Sequence, residues 1–137
     1  MGRILAVDFG TKRTGLAVTD PLQIIATPLK GVSTHDLESF LTEYIIQESV
    51  ETLVVGWPTQ ADGTPSGNAR HVEAFINRFK KLFPQIPVIL QDEYGTSKEA
   101  MQTMISGGVK KKNRRNKLQV DITSAVIILQ AYLSKNT

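Results

Sequence analysis

Residues 5–20 of this 137-residue chain, LAVDFGTKRTGLAVTD, constrain its fold more than any other stretch. RILAVDFG reads as a first strand, and the apolar run before Asp8 lacks the polar alternation of a half-exposed strand, so it is expected to be buried on both faces. A turn at 10–12 follows, and TGLAVTD returns as a second strand. The first strand thus ends on a bare carboxylate. Such an acid either caps the turn or faces a metal ion or a phosphate.

The rest of the chain alternates. IIATPLKGV reads as a third strand, with Pro28 marking an edge or a bulge. Residues 33–50 have apolar side chains at 37, 40, 41, 44 and 45, a helical spacing with Ser33 or Thr34 as N-cap. ETLVVGW is a buried strand and PTQADGTPSGN a loop, with Gly56 and Gly63 bracketing it. ARHVEAFINRFKKLF is a second helix stopped by Pro84, and PVILQDE a further strand ending in acids. TSKEAMQTMISGG reads as a short helix, with Thr96 and Glu99 at capping-box spacing. LQVDITSAVIILQAYL is the final helix. Three strands followed by alternating helix and strand imply an α/β fold: a mixed sheet covered by helices, in one domain over residues 1–137.

Absences narrow the class. With no cysteine, disulfides and thiolate metal sites are excluded. No stretch approaches the roughly 20 apolar residues of a membrane span, MGRILA is too short an apolar start for a signal peptide, and Ala6 stands where myristoylation wants Ser or Thr. A soluble cytoplasmic protein is expected. The formal charge is +3, but it is localised: KKKNRRNK at 110–117 holds six of the sixteen basic residues, leaving ten basic against thirteen acidic elsewhere. That run, Lys110, Lys111, Lys112, Arg114, Arg115 and Lys117, is either a solvated loop or an edge that meets phosphates.

The acids stand in awkward places. Asp8 ends the first strand, and Asp92 and Glu93 end the last. Asp121 lies on one side of the final helix in line with Ala125, Ile128 and Tyr132. If the two strands are neighbours with the final helix beside their edge, the acids cluster. Two like charges about 4 Å apart repel by roughly 4 kcal/mol at an effective dielectric near 20, so the cluster takes up protons or binds a cation. Oxygen ligands without cysteine favour Mg²⁺ or Mn²⁺. Two such ions can activate a water and stabilise the leaving oxygen of a phosphodiester. Each acid also has an ordinary reading: Asp8 as turn former, Asp92 and Glu93 as partners of the next helix's N-terminus, Asp121 as a first-turn acid.

Four segments in order resemble the YqgF family of RNase H-like nucleases, relatives of Holliday-junction resolvases: LAVDFGTKRTGLAVTD, LVVGWPTQADGT, DEYGTSKEA and VDITSAVIILQAYL. The resemblance implies an RNase H-like fold, with a five-stranded sheet of three antiparallel N-terminal strands and two parallel ones, flanked by about four helices. It implies metal-dependent cleavage of nucleic acid, associated with 5′-end maturation of the small-subunit rRNA precursor, and a resolvase role proposed from homology. The catalytic and metal-binding acids carry over to Asp8, Glu93 and Asp121, with Mg²⁺ or Mn²⁺, two ions, as cofactor. In the third motif Tyr94 stands where the family usually has Arg, which puts the grip on substrate in question.

Lys12 and Arg13 are candidate contacts to a substrate backbone, and the family also carries Arg at position 13. Tyr94 and Trp57 are aromatic candidates for base stacking, Trp57 equally a packing residue. His35 and His71, each near a helix start without an evident partner acid, are not expected to be catalytic. Two other classes compete. DFGTKRTG also looks like the phosphate hairpin of sugar kinases and actin-like ATPases, which need a second domain and an adenosine motif. A non-catalytic nucleic-acid-binding module is the other.

Overall fold

The structure, a computed structural model, describes residues 2–58, 67–92 and 117–135. Five strands, β1 (Arg3–Asp8), β2 (Arg13–Thr19), β3 (Ala26–Ser33), β4 (Val50–Trp57) and β5 (Val88–Asp92), form one sheet in the order β3-β2-β1-β4-β5. β1 pairs antiparallel with β2 and β2 with β3, while β1–β4 and β4–β5 are parallel. This is the expected mixed sheet. The helices are α1 (Leu37–Gln47), α2 (Ala69–Leu82) and α3 (Lys117–Lys135). About four helices were expected, and the described residues hold three; the one read at 96–108 lies outside them.

Burial explains why β1 carries no alternation. Leu5 and Val7 face one core with Leu16, Leu53, Leu41 and Val72, beneath α1 and α2. Ile4 and Ala6 face a second core with Ala17, Val54, Ala125 and Ile128, beneath α3. A central strand covered on both faces needs apolar residues at every position. α3 lies chiefly across β2 and β3.

Pro28 sits where both of its readings apply. β3 is an edge strand, so the missing N–H costs no ladder bond on the open side, and the register slips beside it: Leu16 pairs with Lys30 and Ala17 with Pro28. The N-cap expectation is corrected: Asp36, and neither Ser33 nor Thr34, stands at the N-cap of α1. Ser33 precedes a 3-10 turn, Thr34–Asp36, and makes no side-chain cap bond; α1 then begins at Leu37. No helix among the described residues is long and apolar enough to cross a membrane.

Candidate active site

The pleat of β1 decides where Asp8 points. Successive side chains alternate between faces, so Asp8 follows Ile4 and Ala6 onto the α3 side, while Phe9 packs with the α1–α2 core. Asp8 is paired across the ladder with Gly15 of β2. A Cβ on Gly15 would overlap the carbonyl of Asp121 and lie 2.7 Å from the amide nitrogen of Ile122. The absence of a side chain at position 15 therefore lets the N-terminal part of α3 settle directly on the sheet. Asp121 comes down at the same end of the same face as Asp8.

Asp121 is the fifth residue of α3, and the first turn of that helix holds no acid, so the first-turn reading does not apply. The Asp121 side chain is 22% exposed, and its Oδ2 lies 3.4 Å from Nε of Arg13, the first residue of β2. Arg13 shares the α3 face with Gly15 and Ala17 by alternation. Its guanidinium stands beside an acid that would otherwise add repulsion to the site.

The turn between β1 and β2 is clamped from two sides. Thr34 donates its backbone N–H to the Lys12 carbonyl (2.9 Å) and its hydroxyl to the Gly10 carbonyl (2.6 Å). The same hydroxyl meets Thr14 Oγ1 at 2.9 Å, and Thr14 is fully buried. Asn68, just before α2, donates Nδ2 to the Phe9 carbonyl at 3.3 Å. Gly10 has no room for a side chain, since a Cβ would collide with the Arg13 carbonyl. Beside this turn opens a shallow pocket of about 270 Å³ lined by Gly10, Thr11, Lys12, Arg13, Asn68 and Asp121. It combines two cations, one acid and amide donors, a lining suited to a phosphate beside a carboxylate.

The condition that would bring the end of β5 directly beside Asp8 is not met. β1 and β5 are not neighbours, because β4 lies between them. Asp92 pairs with Trp57, whose ring packs against the α1–α2 core, so Asp92 falls on the face opposite to Asp8. It does not join Asp8 and Asp121. Trp57 takes the packing role of its two readings. Glu93, Tyr94, Lys110, Lys111, Lys112, Arg114 and Arg115 lie outside the described residues; Lys117 opens α3. Among the described residues no three His, Cys, Asp or Glu side chains gather as a metal cage. Gly15, Thr34 and Asn68 build the site without having been singled out for it. Only Thr34 carried a signal, as a capping residue, and the structure uses that hydroxyl on the turn instead.

Comparison with known proteins agrees with this architecture. The chain matches the family model described as "RuvX: Holliday junction resolvase" over residues 2–135. A protein of Christiangramia forsetii is 52% identical over 133 residues, covering 97% of this chain and 98% of the relative. One of Phocaeicola vulgatus is 52% identical over 133 residues, covering 97% and 96%. Both bear the name of a candidate pre-16S rRNA nuclease. Among solved structures, T. thermophilus RuvC in complex with a Holliday junction substrate superposes with a TM-score of 0.58 at 15% identity, covering 99% of this chain and 96% of RuvC. That likeness carries the RNase H-like fold. With the full-length family match and the 52% identical relatives, the chain belongs to the RuvX family.

Proposed function

We propose that this chain is a cytoplasmic, divalent-metal-dependent nuclease, a single RNase H-like domain that hydrolyses phosphodiester bonds in the 5′-end maturation of pre-16S rRNA. The observation that supports the reading is the placement of Asp8 and Asp121 at the same end of one sheet face, with Gly15 as the spacer between strand and helix. The names of the relatives direct it toward an RNA precursor.

The donor set fits a hard cation. Two carboxylates come from β1 and α3, the one on α3 lining the pocket beside the turn, and Mg²⁺ typically takes one or two carboxylates and keeps several waters. In this reading Asp8, Asp121 and Glu93 hold the ion, whose chemistry would be neutralisation of the charge that develops on the phosphate. Lys12 and Arg13, fixed by the clamped turn, hold the substrate backbone, and Lys110, Lys111, Lys112, Arg114, Arg115 and Lys117 extend that contact. The rigid turn means that little ordering remains to be done when substrate arrives, which is where positioning contributes to rate.

A second reading, cleavage of branched DNA, is favoured by the family's description as a Holliday junction resolvase. One experiment decides: matched precursor RNA and four-way DNA junctions are offered with Mg²⁺ or Mn²⁺, beside an Asp8→Asn control. RNA cleavage that is lost in the control and on chelation supports the reading. Junction cleavage alone supports the second, and metal-independent cleavage, or equal rates for Asp8→Asn, sinks both.

A further inference from the structure

On the face away from Asp8 and Asp121, α1 and α2 stand apart over an open apolar groove of about 460 Å³. Its floor is a run of rings. Phe9 stacks on Phe75 with centroids 5.0 Å apart and planes 22° from parallel, Phe75 meets Phe79 at 6.2 Å, and Phe79 meets Phe83 at 5.0 Å. The helices are latched across it by Arg78, whose Nη2 donates to Glu38 Oε1 at 3.0 Å and which holds the Glu38 carboxyl below its usual range. Polar groups gather at the end nearest the β1–β2 turn: Thr11, Thr34 and His71.

We infer that this groove receives an unpaired nucleobase of the substrate strand, next to the phosphate held at the acid site. The inference rests on the nuclease reading and extends it. Continuity supports it: Thr11 lines both the groove and the pocket beside Asp121, so the four-residue turn is the wall between them. Asp8 and Phe9 are consecutive, one facing each side of the sheet. A backbone that crosses the turn with its phosphate on Lys12 and Arg13 has its base on the Phe9 side. Size agrees. The groove lies within the roughly 300–1,000 Å³ range of small-molecule sites. Aromatic floors with a few polar groups at the rim are how single-stranded nucleic acids are held through stacking.

The test uses the full chain carrying Asp8→Asn, which binds without cutting, and single-stranded RNA oligonucleotides with 2-aminopurine at one position each. Quenching at one position in the bound complex is the expected result. Ala74→Leu, at an exposed helical position lining the groove, and Phe75→Leu, which removes a ring but keeps an apolar side chain, should abolish that quench. Each should weaken binding by about five- to hundredfold, the range for removing one base–aromatic stack. Circular dichroism and melting curves establish that each variant is folded, and Ala74→Leu keeps the test intact should Phe75→Leu unfold. Quenching unchanged in folded Ala74→Leu overturns the inference while leaving the nuclease reading standing. Loss of self-association in Ala74→Leu, with quenching unchanged, also overturns it and assigns the groove to a second copy of the chain. Absence of binding by any RNA or DNA overturns the nuclease reading and this inference with it.

Discussion

The carbonyl of Asp121 rests against Gly15, the residue that faces Asp8 across the first two strands. One missing side chain therefore sets the distance between a strand-borne acid and a helix-borne one. Gly15→Ala should push α3 off the sheet. The methyl group would have to displace backbone, which cannot rotate away as a side chain can. A destabilisation of about 1–3 kcal/mol is expected, as for other overpacked sites, together with loss of cleavage beyond what unfolding explains. Thermal unfolding and cleavage rates measured well below the melting temperature separate the two effects. A variant with wild-type melting and wild-type rate would show that the close approach does not position Asp121.

Much of this arrangement was legible in the sequence, and the parts that were not have a common cause. Continuous apolar runs mark β1 and β4 because strands covered on both faces leave no polar alternation, and Pro28 marks an edge because only there is a missing N–H cheap. Asp8 and Asp121 stood out because a carboxylate next to apolar residues costs free energy unless something pairs with it. Gly15 did not, because a glycine within a strand looks the same whether it meets a helix backbone or nothing. Thr34 read as an ordinary capping residue and Asn68 as part of a loop, since their turn partners are 24 and 59 residues away. Whether β1 and β5 are adjacent stayed open in the sequence for the same reason. Strand order depends on long-range pairing, and the sequence signals of β5 are equally consistent with either neighbour.

At the opposite end of the sheet, Asp20 organises the β2–β3 loop. Its Oδ1 accepts the N–H of Ile25 at 2.7 Å and of Ile24 at 2.8 Å, and its Oδ2 accepts that of Leu22 at 3.1 Å. These bonds, Ile25 first, hold its carboxyl below the usual aspartate range. A depressed carboxylate contributes order above its unfolded pKa and loses it as pH falls through the lower folded value. The loop amides should therefore stay protected through the normal aspartate titration and open only at more acidic pH. Hydrogen exchange at Ile24 and Ile25 measures this. Asp20→Ala should remove the protection at every pH while leaving cleavage unchanged; slow exchange persisting in that variant would assign the loop's order to other interactions.

The basic run is tested through its salt dependence. Replacing Lys110, Lys111, Lys112, Arg114 and Arg115 with Gln should weaken binding to all sequences alike and flatten that dependence. The slope of log K against log salt is expected to fall by about 0.7 for each single-strand phosphate that is no longer neutralised. Binding measured between 50 and 200 mM salt, a window in which counterion release is pronounced, reads the change. An unaltered slope returns the run to a solvated loop.

Arg13 is placed to serve two anions in turn. With its Nε 3.4 Å from Asp121 Oδ2 and its side chain 38% exposed, it is a partly solvated counter-ion and not a buried lock. Such pairs contribute about 0.2–1 kcal/mol, so a cation at Asp121 can displace the guanidinium, which then turns to a substrate phosphate. Arg13→Gln should accordingly move two affinities in opposite directions. Mn²⁺ binding, followed by calorimetry without substrate, should tighten by up to about fivefold, the factor equal to 1 kcal/mol, because the competing charge is gone. Single-stranded RNA binding should weaken, with the salt slope reduced by the share of one phosphate. Arg13→Lys should recover most of the RNA affinity, since a point charge still meets a phosphate. A purely structural ion pair predicts a different pattern: lower melting temperature, with metal affinity unchanged or reduced. The sign of the metal effect is the discriminating observation, because no loss of fold can tighten a cation site.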